Sequence, residues 1–182
     1  EIEPLTTFKP DCDYIYMPDD AFEMYLETHN GIGQTVSMDH ASSLGNGSMD
    51  NFITTSKLEF VFDLDVSGES IADLTGIKDF RDLSQLNVSS TNITSLDLSD
   101  LQFITHLYLS NTGLTSLALS THTNLQILDI SDTSISSINL SSNGFLQQIN
   151  IGNTPMTSID LSNNTALTSF EMSNARYFHL IR

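Results

Sequence analysis

Basic residues are scarce in this chain: 6 Lys and Arg stand against 23 Asp and Glu in 182 residues, a formal net charge of −17. Nucleic acids and anionic membrane surfaces are held through positive charge, so both are excluded as partners. Such an excess of acid reads first as a solvated face, with cation binding or a basic partner as alternatives. Cysteine is nearly absent. Cys12 stands alone, which rules out an internal disulfide and any cluster of Cys and His; no small apolar processing motif precedes it, so a lipid anchor there is not expected. No run of about eighteen apolar residues occurs, and nothing in the sequence spans a membrane as a helix. There is no GxSxG, HExxH or phosphate-binding loop. Nor does a charged segment followed by an apolar one open the chain; because Glu1 is an implausible natural start, a leader peptide is inferred to have preceded it.

What the chain has instead is a repeat. Leu83–Phe103 reads LSQLNVSSTNITSLDLSDLQF, and the same pattern returns at Ile104, Leu125 and Leu146, each copy twenty-one residues after the last. A further copy starts at Leu167, and a diverged one, a residue longer, covers Val61–Asp82. Self-similarity at a fixed period in the twenties is the mark of a solenoid.

With the unit numbered from Leu83, positions 1, 4, 6 and 11 are apolar in every full copy: Leu83, Leu86, Val88 and Ile93 in one, Ile104, Leu107, Leu109 and Leu114 in the next. The step of two between positions 4 and 6 is strand alternation, and positions 14 and 16 (Leu96 and Leu98, Leu117 and Leu119) repeat it. Each unit is therefore expected to form two short strands facing one another across a Leu/Ile core. Position 9 is Thr91, Thr112, Thr133 and Thr154, and position 17 is Ser99, Ser120, Ser141 and Ser162. Fixed registers of hydroxyls point to structural columns that satisfy backbone groups where the chain turns, since a buried unpaired group costs about 1–3 kcal/mol. A single coil buries too little to offset its ordering, so neighbouring coils must supply the rest.

The pattern L-x-x-L-x-L-x-x-T-x-I resembles the conserved half of a leucine-rich repeat, with Thr at the position the family more often fills with Asn. The first copy, LDVSGESIADLTGIKDF, and the upstream PDDAFEMYL are similar to the N-terminal half of secreted, internalin-like leucine-rich-repeat proteins of bacterial cell surfaces. The resemblance implies an α/β solenoid, mostly β: a right-handed leucine-rich-repeat coil with a small helical N-terminal cap, secreted or displayed at the cell surface.

Residues 1–57 are assigned to that cap and 58–182 to the array, with repeats starting at 61, 83, 104, 125, 146 and 167. Of the acidic residues, 17 precede Leu83, so the cap and first repeat carry most of the charge. Within the cap, Glu1–Asp13 is an extended lead-in, a helix is expected over about 19–29, and a Gly/Ser-rich loop follows. Asp20 is the expected helix cap, with Glu23 completing a capping box; Phe22, Tyr25, Leu26 and Met24 would dock on the stack. Asp39, Asn46 and Asp50 offer oxygens for calcium, but their spacing does not match an EF-hand loop, and no metal or cofactor is expected. At the other end, Tyr177, Phe178, Leu180 and Ile181 either fold over the last coil, pack on another molecule in a homo-association, or lead into more chain.

The outward positions of the first strand, 3 and 5, are where binding is expected. His106 and Tyr108, with Ile127 and Asp129 on the next coil and Asn150 beyond, form the best local patch: an aromatic and an aliphatic side chain among acids and amides, suited to a protein or glycan. A hydrolytic trio can be drawn with His106 and Asp129, but a flat sheet has no water-excluding pocket and no oxyanion site, so no catalytic residue is assigned. The expected function is recognition or adhesion, with a structural spacer holding a neighbouring domain as the alternative.

Overall fold

The computed structural model describes residues 14–173 and 178–182; the lead-in with Cys12, and Tyr177, lie outside the described residues. In chain order the elements are β1 (Tyr14–Tyr16), α1 (Asp20–Thr28), β2 (Phe52–Thr54), β3 (Asp63–Asp65), β4 (Gln85–Asn87), β5 (His106–Tyr108), β6 (Ile127–Asp129), β7 (Gln148–Asn150), β8 (Ser158–Asp160), β9 (Ser169–Glu171) and β10 (His179–Ile181). Strands β3, β4, β5, β6, β7 and β9 form one parallel sheet in sequence order, each coil contributing three residues to it. Its register sets Leu64 beside Leu86, then Leu107, Leu128, Ile149 and Phe170. That file runs along the inside of a solenoid, and the residues at positions 1, 4, 6 and 11 of the full copies are all buried in one continuous core.

The turns after β3, β4, β5, β6 and β7 share one backbone form. Gly68, Ser90, Asn111, Asp132 and Asn153 take left-handed backbone conformations at φ between 53° and 78°, a region that Gly, Asn and Asp enter at least cost. The chain then drops into the core, and the threonine column spans the drop: the hydroxyls of Thr91, Thr112, Thr133 and Thr154 donate to the carbonyls of Val88, Leu109, Ile130 and Ile151 at 2.7–2.8 Å.

The far side of the coil departs from expectation. A second strand was expected in every unit, yet among the described residues only β8 is laddered there, in parallel with β10. In β8 and outside it alike, the side chain at position 15 meets the backbone locally: Asp97, Asn139 and Asp160 accept from the N–H of Ser99, Ser141 and Ser162 at 2.9–3.0 Å. It is the Asx residue, rather than the serine hydroxyl, that closes the turn there, and Ala118 leaves one coil without it.

A second buried column lies at position 19. Leu58, Phe80, Leu101, His122, Asn143 and Asn164 occupy it in succession, apolar in the early coils and polar in the later ones, all buried. Each polar member donates back to the preceding coil. His122 Nε2 lies 3.1 Å from the Leu98 carbonyl, Asn143 Nδ2 bonds the carbonyls of Leu119 and His122, and Asn164 Nδ2 those of Leu140 and Asn143. Burial pushes the His122 imidazole below its ordinary pKa although carbonyl contacts work the other way, so the ring sits neutral in the column.

At the N-terminal end, β1 and β2 pair antiparallel, α1 lies beside them, and their apolar side chains join the core of the coils. The Phe22 ring stacks on Phe80 of the first coil at 6.2 Å. Gly76 leaves room for Met17 and Ile15 beside the first coil: its φ is 96°, and a Cβ there would lie 2.9 Å from Met17 Cε. Asp19, not Asp20, caps the helix, its Oδ1 accepting from the N–H of Ala21 and Phe22 at 3.0 Å. Its Oδ2 accepts from Ala72 and Asp73 in the first coil at 2.7 and 2.9 Å. Glu23 forms no capping box; it is buried and its carboxylate accepts from the Asp50 N–H at 2.9 Å. Met24 faces solvent, because Phe22, Tyr25 and Leu26 already fill the docking side.

Candidate binding face

The sheet puts the five candidate residues on adjacent coils. His106 is registered with Ile127 and Ile127 with Gln148; Tyr108 is registered with Asp129 and Asp129 with Asn150. All five are half-buried, each flanking an inward residue of its strand. The His106 and Tyr108 rings are 6.5 Å apart and inclined by 31°. A depression of about 140 Å³ lies in front of Tyr108, Ile127, Asp129 and Asn150, bounded further along by Gln148 and Glu171. His106 stands outside it. Sites that enclose small molecules run to about 300–1,000 Å³, so this hollow suits a projecting side chain or a single sugar ring rather than an engulfed metabolite.

Two of the five are also structural. Asp129 Oδ1 accepts from the backbone N–H and the hydroxyl of Ser131 at 3.0 and 2.6 Å, and Asn150 Oδ1 from the Gly152 N–H at 3.0 Å. Asp65 and Asn87 do the same for Ser67 and Ser89. Position 5 is thus a column of Asx turns that ends four of the six strands; Tyr108 interrupts it, and Glu171 follows its last member. The signal was present in the sequence as Asp-x-Ser, Asn-x-Ser and Asn-x-Gly in fixed register, a spacing at which a short polar side chain bonds its own backbone two residues on.

His106 and Asp129 are diagonal neighbours rather than partners. The His106 Nδ1 lies 2.8 Å from the Thr105 hydroxyl, while Asp129 is engaged with Ser131. In the loop after α1, Asn46 Nδ2 lies 3.3 Å from Asp50 Oδ1 and 2.5 Å from the Phe52 carbonyl oxygen. Among the described residues no group of three or more His, Cys, Asp and Glu is placed to hold a metal ion, and no helix is long and apolar enough to cross a membrane.

No family profile and no curated protein matches this chain. Solved structures do. The functional domain of InlJ from Listeria monocytogenes is similar over 85% of this chain and 32% of that one, at 28% identity and a TM-score of 0.70. An internalin, InlF, from the same organism is similar over 86% of this chain and 56% of that one, at 21% identity and a TM-score of 0.61. A leucine-rich-repeat protein of Leptospira interrogans gives 20% identity and a TM-score of 0.63 over 70% of this chain and 35% of that one. The chain thus spans between about a third and just over half of the length of these structures.

Proposed function

We propose that this chain, which folds as an internalin-like leucine-rich-repeat protein, is a recognition module that binds a protein or glycan through its strand face, outside the cell or at its surface. Residues 1–57 serve as the cap that closes the head of the array, and the array from 58 onward presents the face. The observation that carries the reading is Tyr108. Four coils place Asp or Asn at its position and gain a backbone hydrogen bond by it; Tyr108 gives up that bond and sets an aromatic ring over a hollow instead. A residue that departs from a structural column toward a large amphipathic side chain is the kind that dominates binding energy at interfaces. Ile127 extends the apolar surface beside it, and His106, Asp129 and Asn150 supply the polar surround. The comparisons support the reading at the level of the fold, a coil that presents a broad sheet, and we read the module as a non-enzymatic binding scaffold.

The test is a display of surface glycans and proteins probed with the full chain and with Tyr108→Ala and Ile127→Ala. A ligand bound through this face loses about tenfold or more in affinity in each variant, while the urea midpoint stays that of the wild type. If every ligand found binds both variants as tightly as the wild type, the face is not the site.

A further inference from the structure

The corner where each coil turns back into the sheet carries a second pattern. Positions 20 and 21 form a turn in every coil, closed from Leu83 N to the Phe80 carbonyl, Leu125 to His122, Leu146 to Asn143 and Leu167 to Asn164. The tips of these turns read Phe60, Asp82, Phe103, Asn124, Phe145 and Ala166. The three phenylalanines occupy alternate coils, and they are 70%, 59% and 64% exposed. Adjacent coils of a parallel sheet lie about 4.8 Å apart, so the rings recur about every 9.5 Å along the corner.

We propose that Phe60, Phe103 and Phe145 are a row of stacking platforms for a neutral, extended β-1,4-linked polysaccharide. In such a chain each sugar is turned over relative to the last, so the same apolar face returns at every second ring; the two-coil step of the row matches that disaccharide step. Beside Phe103 runs an open groove of about 520 Å³ lined by Lys78, Asp79, Arg81, Asp100 and Gln102. These side chains supply the donors and acceptors that sugar hydroxyls require on either side of a stacking ring. A net charge of −17 repels polyanionic glycans, and the groove itself sets Lys78 and Arg81 against Asp79 and Asp100, a balanced lining that suits a neutral glycan. A protein partner fits less well, because Asp82 and Asn124 stand between the rings and the cores of protein interfaces are depleted of charge. The row does not use the strand face around Tyr108, and the two sites stand or fall separately.

The experiment is calorimetric titration of the full chain with cellohexaose and chitohexaose, and with their disaccharides. One hexasaccharide binds, far more tightly than its disaccharide because only the longer chain reaches two rings. Phe103→Ala and Phe145→Ala each weaken it about tenfold and together abolish it, whereas Tyr108→Ala leaves it unchanged. The rings are exposed, so the variants keep the wild-type circular dichroism spectrum. The proposal is overturned if neither hexasaccharide binds, if hexasaccharide and disaccharide bind alike, or if the phenylalanine variants bind as the wild type does. Self-association of the wild type that these variants abolish, without glycan binding, overturns it too and gives the row to a second copy of the chain.

Discussion

Asp19 ties the head of the molecule to its body with one carboxylate, and its removal has a calculable cost. One oxygen caps α1 through Ala21 and Phe22; the other holds the amides of Ala72 and Asp73, more than fifty residues along the chain. Losing an N-cap costs about 1 kcal/mol. Hydrogen bonds to a charged group contribute about 1.5–3 kcal/mol, and the lower end applies to a half-exposed carboxylate. Asp19→Ala should therefore destabilise by about 3 kcal/mol. Asn is as good a cap as Asp, but its amide would turn N–H toward the donors of Ala72 and Asp73. Asp19→Asn should keep the cap and lose the tie, at about 1.5–2 kcal/mol. Urea unfolding followed by far-ultraviolet circular dichroism measures both, and amide exchange at Ala72 and Asp73 locates the loss.

The pH dependence follows from the same contacts. Burial pushes the Asp19 carboxyl up, but its four backbone donors together outweigh burial and hold it below its ordinary value of 3.8. A folded-state pKa below the unfolded one means that the stabilisation is fully present above about pH 4 and is lost as pH falls through the folded value. Asp19→Asn should show a shallower loss of stability below pH 4 than the wild type. An unchanged urea midpoint for Asp19→Ala, or unaltered exchange at Ala72 and Asp73, would refute the idea that this side chain joins the cap to the array.

Three further substitutions probe the columns. Asn143→Ala removes one of the two hydrogen bonds accepted by each of the buried carbonyls of Leu119 and His122, leaving those from the N–H of His122 and Leu125, and should cost about 1–3 kcal/mol in urea unfolding. Thr112→Val keeps the shape and loses only the bond to Leu109, which should cost about 1–2 kcal/mol, with faster exchange confined to the neighbouring turn. Burial holds the His122 imidazole below its ordinary value of 6.5, so the stability it contributes is complete above that pH and falls away as the solution is acidified. His122→Asn, the residue that the next two coils use, should flatten the decline in melting temperature between pH 7 and pH 5.

The repeat was legible because burial makes a strict demand on chemistry. Leu86, Leu107, Leu128 and Ile149 share one interior file, and only apolar side chains survive there. The threonines were legible for a related reason: each spans the same gap to the carbonyl three residues earlier, and a hydroxyl at that reach is what the turn needs. Position 19 was not legible. Leu101, His122, Asn143 and Asn164 share a place, not a residue type, and the two ways of filling it, apolar packing or donation to the previous coil, look unrelated in the sequence. Asp19 and Asp20 are adjacent acids ahead of the same helix, and what separates them is the tertiary contact with Ala72 and Asp73. At the candidate face the turn duties of two residues went unread: Asp129 and Asn150 each bond their own turn.

A solenoid repeats its backbone, so every backbone need recurs once per coil, and a side chain that meets such a need must recur with it. Positions 5 and 9 are tied in this way to the N–H and C=O groups at the strand ends, position 15 is so tied in three of the four full copies, with Ala118 the exception, and position 8 is tied to the left-handed turn. Position 3 has no such duty. It reads Asp63, Gln85, His106, Ile127, Gln148 and Ser169, with no common chemistry along the sheet. Substitution there is released from folding and left to whatever the surface meets, as it is at the turn tips that carry Phe60, Phe103 and Phe145. Tyr108 is informative for the opposite reason: it varies where folding asks for constancy. A Tyr108→Asp variant should restore the column, gaining the bond from the Ser110 N–H and raising stability by about 0.5–1.5 kcal/mol, while binding at the strand face is lost. A variant that is less stable than the wild type would show that the tyrosine itself serves the fold, and would remove the reason for reading it as a binding residue.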